Sequence, residues 1–463
     1  MAPVIAYDLV RLFLGPLFLT PRGIDRVDLA LARQIFADPE TENLGILPTF
    51  WGIRVFKAAQ VRRLLDHVEH IWDEHADCSE VAQEPQIRRL IQAMGHAPQT
   101  PEITAPAGRP HLTLRNKIVR MIQELRATGM PLGRAVRTHV PAGSIYLNVG
   151  QLGLAVPMFF RWLESRPDVT SALMLHDVIP LEYPHLCRPG QFDDHTRMVR
   201  TAALRADCMI YTTAYARDTV NAALGTHGRP DLPSLVRGLP LPTAFAQTAV
   251  CVPDLASVRY FVVVSSIEPR KNHDLLFRVW ARLIKQMGVG APHLVIVGSR
   301  GYDGDRIMTV LDHRPILRTH VHEVAGLSSP ALASLVLNAA AMLSPTLAEG
   351  FGMPVMEANV MGVPTIASDI AAHREVANGT TTLLPGDDED GWLRAIVETP
   401  PTPLRQRPTI AREMTSEAYC ADIVAFVGAF ADGGAHRAGL VAKPGTAYTP
   451  TSDVGLAFGD KRT

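Results

Sequence analysis

The strongest constraint on the fold is an alternation between residues 259 and 368, where short β-branched runs are followed by amphipathic stretches. Residues 259–266 (RYFVVVSS) predict a buried strand, 267–272 (IEPRKN) a polar turn, and 273–287 a helix with Leu275, Leu276, Val279, Trp280 and Leu283 on one face. Gly288 and Gly290 stop that helix, and 293–298 (HLVIVG) predicts the next strand. Ser329 as N-cap and Pro330 as first residue open a helix over 330–340. Residues 341–345 and 364–368 follow as strands, on either side of a helix that Pro354 opens and Gly362 ends. Repeated strand–helix–strand units imply a parallel sheet covered on both faces, an α/β Rossmann-like domain.

The first half carries weaker copies of the pattern: an opening strand at 4–7, a helix from Ile24, and strands near 145–149, 173–176 and 206–212. The opening apolar stretch is broken by Asp8 and Arg11 and lacks a basic leader, so it predicts a buried strand rather than a signal peptide. Residues 225–253, rich in Gly and Pro, predict the interdomain linker. The expected organisation is one Rossmann-like domain over 1–245, a second over 255–410, a helix at 411–432 returning to the first domain, and a disordered tail at 433–463. Two such sheets face each other across a cleft at their carboxyl ends.

At 463 residues the chain has room for two cores. A formal net charge of -1 removes any global attraction to nucleic acid. Five scattered cysteines, with no C-x-x-C pair, suggest neither a disulfide framework nor a zinc site and point to a reducing cytoplasm. No apolar run reaches the roughly 20 residues of a membrane span.

Within that frame the stretch EGFGMPVME places Glu349 and Glu357 on either side of a strand-to-helix loop. Gly350 and Gly352 permit close backbone approach, and the amides of Phe351, Gly352 and Met353 form a cradle for hydroxyls or anions. Read alone, Glu357 equally well complements a helix N-terminus. Arg270 and Lys271 sit in a turn before a helix start, a poor choice for stability alone and one that suits an anion such as a diphosphate; read alone, the turn is equally an exposed loop with ordinary charges. His176 and Asp177 end a first-domain strand, and Gly23 opens a turn near Asp25. Asp303 and Asp305 form a D-x-D triplet and 387–390 an acidic run; both read as solvated surface rather than as metal ligands.

The Glu349-to-Glu357 stretch, with Ala358, Gly362, Val363, Pro364 and Ser368, resembles the E-x7-E signature of retaining glycosyltransferase family 4, whose fold is GT-B. The resemblance runs through most of the chain and leans toward bacterial polysaccharide mannosyltransferases. It implies that Glu349 contacts the transferred sugar, that Phe351, Gly352 and Met353 present amides, and that Glu357 binds the ribose. Arg270 and Lys271 would neutralise the leaving diphosphate, His176 would touch a sugar hydroxyl with Asp177 positioning it, and Gly23 would lie in a loop facing the donor. Ser265 and Ser266 stand where family members often have Gly or Gly-Arg, so one diphosphate-binding arginine is missing from its usual place. The resemblance further implies a nucleotide-sugar donor, GDP-mannose first among them, a glycan acceptor that is lipid-linked, retention at the anomeric carbon, and no cofactor or metal. The basic stretch 109–137, with Arg115, Lys117, Arg120 and Arg126, is a candidate for contact with anionic membrane and equally for a solvated helix face. That contact would put the protein at the inner face of the cytoplasmic membrane. A nucleotide-sugar epimerase or hydrolase, or a silent sugar-nucleotide-binding scaffold, are the competing readings.

Overall fold

A computed structural model describes residues 3–15, 23–49, 52–72, 78–95, 126, 133–242, 245, 249–400 and 411–431. Among these, two sheets form. The first runs β4-β3-β2-β1-β5-β6-β7-β8, from β1 (Ile5–Asp8), β2 (Leu44–Thr49), β3 (Gly52–Lys57), β4 (Arg134–Ala135), β5 (Ile145–Asn148), β6 (Thr170–Met174), β7 (Cys208–Tyr211) and β8 (Ser234–Val236). It is parallel except at the β2–β3 and β3–β4 pairs. The second runs β11-β10-β9-β12-β13-β14 and is parallel throughout, from β9 (Tyr260–Val264), β10 (His293–Val297), β11 (Val321–Val324), β12 (Ala341–Ser344), β13 (Thr365–Ser368) and β14 (Thr381–Leu384).

Strand order places the two switch points. The second sheet reverses direction between β9 and β12, and the first between β1 and β5, so the crevices open at the carboxyl ends of these central strands. Tyr260, Phe261, Val262 and Val263 on β9 are all buried, as a strand covered on both faces requires. The helix His273–Met287 lays Leu275, Leu276, Val279, Trp280 and Leu283 on that sheet, and Gly288, in the left-handed region at φ 58°, ends it. Phe261 meets Trp280 edge-on at 5.9 Å between ring centroids.

Three sequence expectations need correction. The helix expected from Pro330 is Ser329–Leu337, and its cap is Ser328, whose hydroxyl accepts from the Ala331 amide at 3.2 Å. Every residue of that helix is buried, and its start moves by one residue because the hydroxyl that reaches the Ala331 amide is that of Ser328, not Ser329. Strand β6 ends at Met174, leaving His176 beyond the strand and in the loop. The 225–253 stretch is not all linker: β8 lies within it and pairs with β7, adding an edge to the first sheet. A three-residue strand between proline and glycine gives almost no periodic signal.

The helix Ser416–Ala431 packs on Gly23–Ile35 and against β5 and β6, with Tyr419, Ile423 and Val427 buried. Leu241 donates its amide to Met414 at 2.9 Å, and Arg237 pairs with Asp422 at 2.7 Å. Among the described residues no helix is long and apolar enough to cross a membrane. Of the basic stretch 109–137 only Arg126 and residues 133–137 are described, and the tail 433–463 lies outside the described residues.

Candidate active site

After β9 the chain turns through Pro269, Arg270 and Lys271 to Asn272, which is left-handed at φ 55° and precedes the helix His273–Met287. The Asn272 side-chain amide fixes this turn by donating to the carbonyls of Pro345 (3.1 Å) and Gly386 (2.9 Å). Arg270 in turn offers its carbonyl to the Leu347 amide at 2.7 Å and the Thr346 hydroxyl at 3.0 Å. The loops after β9 and β12 are therefore tied together, which brings Arg270 and Lys271 onto Glu349.

Glu349 accepts from Lys271 Nζ on one oxygen and from Arg270 Nη1 at 3.2 Å on the other. Burial pushes its carboxyl up, but the two cations outweigh this and hold it at about 2. Arg270 Nη2 also reaches Glu268 at 3.1 Å. Burial and Arg270 together lower the Lys271 ammonium, while Glu349 supports its charge. Two cations and two carboxylates thus share one largely buried cluster, and Lys271 spends one of its three N–H groups on Glu349.

Gly352, at φ 93°, precedes the helix Met353–Val360, and a Cβ there would lie 2.9 Å from the His373 ring. Sequence reasoning gave His373 no part. It is fully buried, with Nδ1 toward the Ser368 carbonyl (2.8 Å) and Nε2 toward the Ser344 hydroxyl (3.3 Å), and it supports the glycine loop from below. Glu357 lies one turn into the helix and is 4% exposed; burial raises its carboxyl to about 7, against the pull of Arg26.

The first domain meets this loop directly. A Cβ on Gly350 would stand 2.7 Å from the His176 carbonyl oxygen and 3.0 Å from Asp177 Cβ, and a Cβ on Gly23 would collide with Met353 Sδ. Thr213 donates to the Gly350 carbonyl at 2.9 Å. His176 directs Nε2 at the Val149 carbonyl (2.9 Å), which only accepts, so Nε2 carries the hydrogen and Nδ1 a lone pair. Burial and the nearby Arg11 charge depress the ring to about 3, so it is neutral at physiological pH. Asp177 accepts from the Ile179 amide at 3.1 Å, bracing the loop that holds His176.

The acidic stretches behave as surface. Asp303 pairs with Arg306 and Asp305 with Arg300 at 3.0 Å. Asp388 caps the helix Glu389–Glu398 by accepting from Gly391 at 2.9 Å, while Glu389 and Asp390 pair with Arg282 at 3.1 and 2.7 Å.

Residues 258–399, which hold β9 to β14 and the loops that carry Arg270, Lys271 and Glu349, match the family model described as glycosyl transferases group 1. Residues 258–399 are therefore similar to a group 1 glycosyl transferase domain, a match that covers less than half of the chain. Among curated relatives, the serotype-specific mannosyltransferase WbdA of Escherichia coli is 25% identical over 245 residues, 49% of this chain and 29% of that protein. The O-antigen chain mannosyltransferase RfbU of Salmonella typhimurium is 32% identical over 30% of this chain and 37% of its own length. The chain thus spans less than two fifths of these relatives. Sucrose-phosphate synthase from Thermosynechococcus elongatus shares the fold over 92% of this chain and 94% of its own, at TM-score 0.51 and 15% identity. A UDP-forming trehalose-phosphate synthase from Burkholderia xenovorans does so over 92% and 99%, at 0.52 and 13%. The two domains together therefore form the two-sheet GT-B fold.

The buried Glu357 carries a pH signature. A carboxyl at about 7 in the folded protein and near 4.5 in the unfolded chain binds more protons when folded. Its contribution is complete below about 4.5 and is lost as pH rises through about 7. Against the wild type, Glu357→Gln should therefore gain relative Tm between pH 4.5 and 7.5, as read by differential scanning fluorimetry; a pH-independent difference would contradict the burial argument.

Proposed function

We propose that this protein transfers a hexose from a nucleotide-sugar donor to a hydroxyl of a growing bacterial polysaccharide. GDP-mannose is the leading donor and a lipid-linked glycan at the inner face of the cytoplasmic membrane the acceptor. The reading rests on one observation: Glu349, Arg270 and Lys271 converge at the switch point of the second sheet, facing His176 and Asp177 of the first. The mannosyltransferase relatives supply the choice of sugar.

In this scheme Arg270, Lys271 and the N-terminal amides of the helix His273–Met287 take up charge developing on the departing diphosphate. Glu349 and the neutral His176 orient the sugar through its hydroxyls, and Glu357 holds the ribose. The acceptor hydroxyl attacks the anomeric carbon from the face the diphosphate leaves and passes its proton to the departing phosphate oxygen, so the bond to the diphosphate breaks as the new one forms and configuration is retained. Two fixed cations provide the positive charge a divalent ion would otherwise bring, so no metal is required.

Screening nucleotide sugars for a rise in Tm, then assaying transfer to a lipid-linked oligosaccharide, tests the scheme. GDP-mannose should stabilise best, the product linkage should show retention by NMR, and EDTA should leave the rate unchanged. Release of free sugar with no glycan product would favour a hydrolase; loss of all transfer in EDTA, restored by a divalent cation, would sink the metal-independent scheme.

A further inference from the structure

Each domain supplies a carboxylate that caps a helix of the other. Glu375, on the short helix Ala371–Val376 of the transferase domain, accepts the amides of Ala214 and Tyr215, each at 2.8 Å, where the first-domain helix Ala214–Gly225 begins. In the reverse direction Glu84, beside the helix Pro85–Gly95, accepts the Ser328 amide at 3.1 Å and its hydroxyl at 2.9 Å, at the start of Ser329–Leu337. Amides of a first helical turn have no partner within their own helix and carry its positive end, so a carboxylate satisfies both needs.

The Glu375 contact bears directly on the donor loop. Thr213, beside the two capped amides, accepts from Ala216 at 2.9 Å and donates to the Gly350 carbonyl at 2.9 Å. Two residues before Glu375, His373 lies under Gly352. One end of the helix Ala371–Val376 thus supports the loop from below while the other grips the helix whose cap holds the same loop from across the cleft.

We propose that Glu375 is a positioning residue for transfer: by capping Ala214–Gly225 across the cleft it seats Gly350 against Asp177 and aligns the donor. The inference rests on the transferase reading above. Because the capped amides belong to the other domain, the contact exists only with the domains together and biases the protein toward that arrangement. Glu375 is exposed, so solvent screening limits the effect.

Steady-state kinetics of the full chain and of Glu375→Ala and Glu375→Gln test the role. The alanine variant should lose roughly tenfold in kcat/KM, the value of one charge-assisted hydrogen bond, chiefly through a higher donor KM, and should release more free sugar per transfer. Glutamine keeps an acceptor oxygen and should recover much of the loss. An unchanged donor KM and free-sugar ratio in Glu375→Ala, or equal losses in both variants that track a fall in Tm, would overturn the proposal. Should the wild type transfer no sugar from any donor, the transferase reading fails. The clasp is then judged by small-angle scattering, where Glu375→Ala should have the larger radius of gyration and an identical radius would refute it.

Discussion

Replacing Glu349 with glutamine should lower kcat by roughly 100- to 1000-fold, the size of losing one preorganised electrostatic contact in a closed site. The same change should cost stability, because Lys271 and Arg270 both lean on this carboxylate and Lys271 is 9% exposed. Breaking one side of a buried ion pair costs about 3–5 kcal/mol, whereas replacing both partners with neutral groups can restore most of it. The double variant Glu349→Gln with Lys271→Met should therefore regain much of the lost Tm while staying inactive. Such an outcome, read by calorimetry beside a transfer assay, would separate what the pair does for the fold from what it does for the donor. A double variant that regained activity would remove Glu349 from the site.

Gly350→Ala should be nearly as damaging to catalysis for a different reason. The added methyl would stand 2.7 Å from the backbone oxygen of His176, and backbone cannot rotate away as a side chain can. Either the loop or the domain must shift by about an ångström, a misplacement that can cost on the order of 100-fold in rate. Since each domain also holds an apolar cluster wholly its own beside the one they share, Tm should fall far less than activity. Wild-type kcat/KM in Gly350→Ala would show that the two loops do not meet during turnover.

What the sequence disclosed follows from how local each signal is. The helix His273–Met287 is readable to the residue because five buried side chains recur at helical spacing and Gly288 ends the run. The cluster of Glu349 with Arg270 and Lys271 is a contact over 78 and 79 residues of chain, yet both loops announced themselves by local chemistry, glycines in one and paired cations in the other. His373 and Glu375 gave no such sign. Each sits in a short helix with ordinary flanks, and its importance comes from what the fold sets opposite it, Gly352 in one case and the Ala214 and Tyr215 amides in the other. Strand β8 was hidden because an edge strand of three residues is defined by its neighbour and not by its own pattern.

The helix Ser416–Ala431 also fixes an order of events in biosynthesis. Domains generally fold as units while the chain emerges, the amino-terminal one first. Here the face of Gly23–Ile35 and the sheet at β5 and β6 that this helix covers are made early, and their cover is made after the whole second domain. The domain that starts first is thus completed last, and until then its apolar face stays open to chaperones and to other nascent chains.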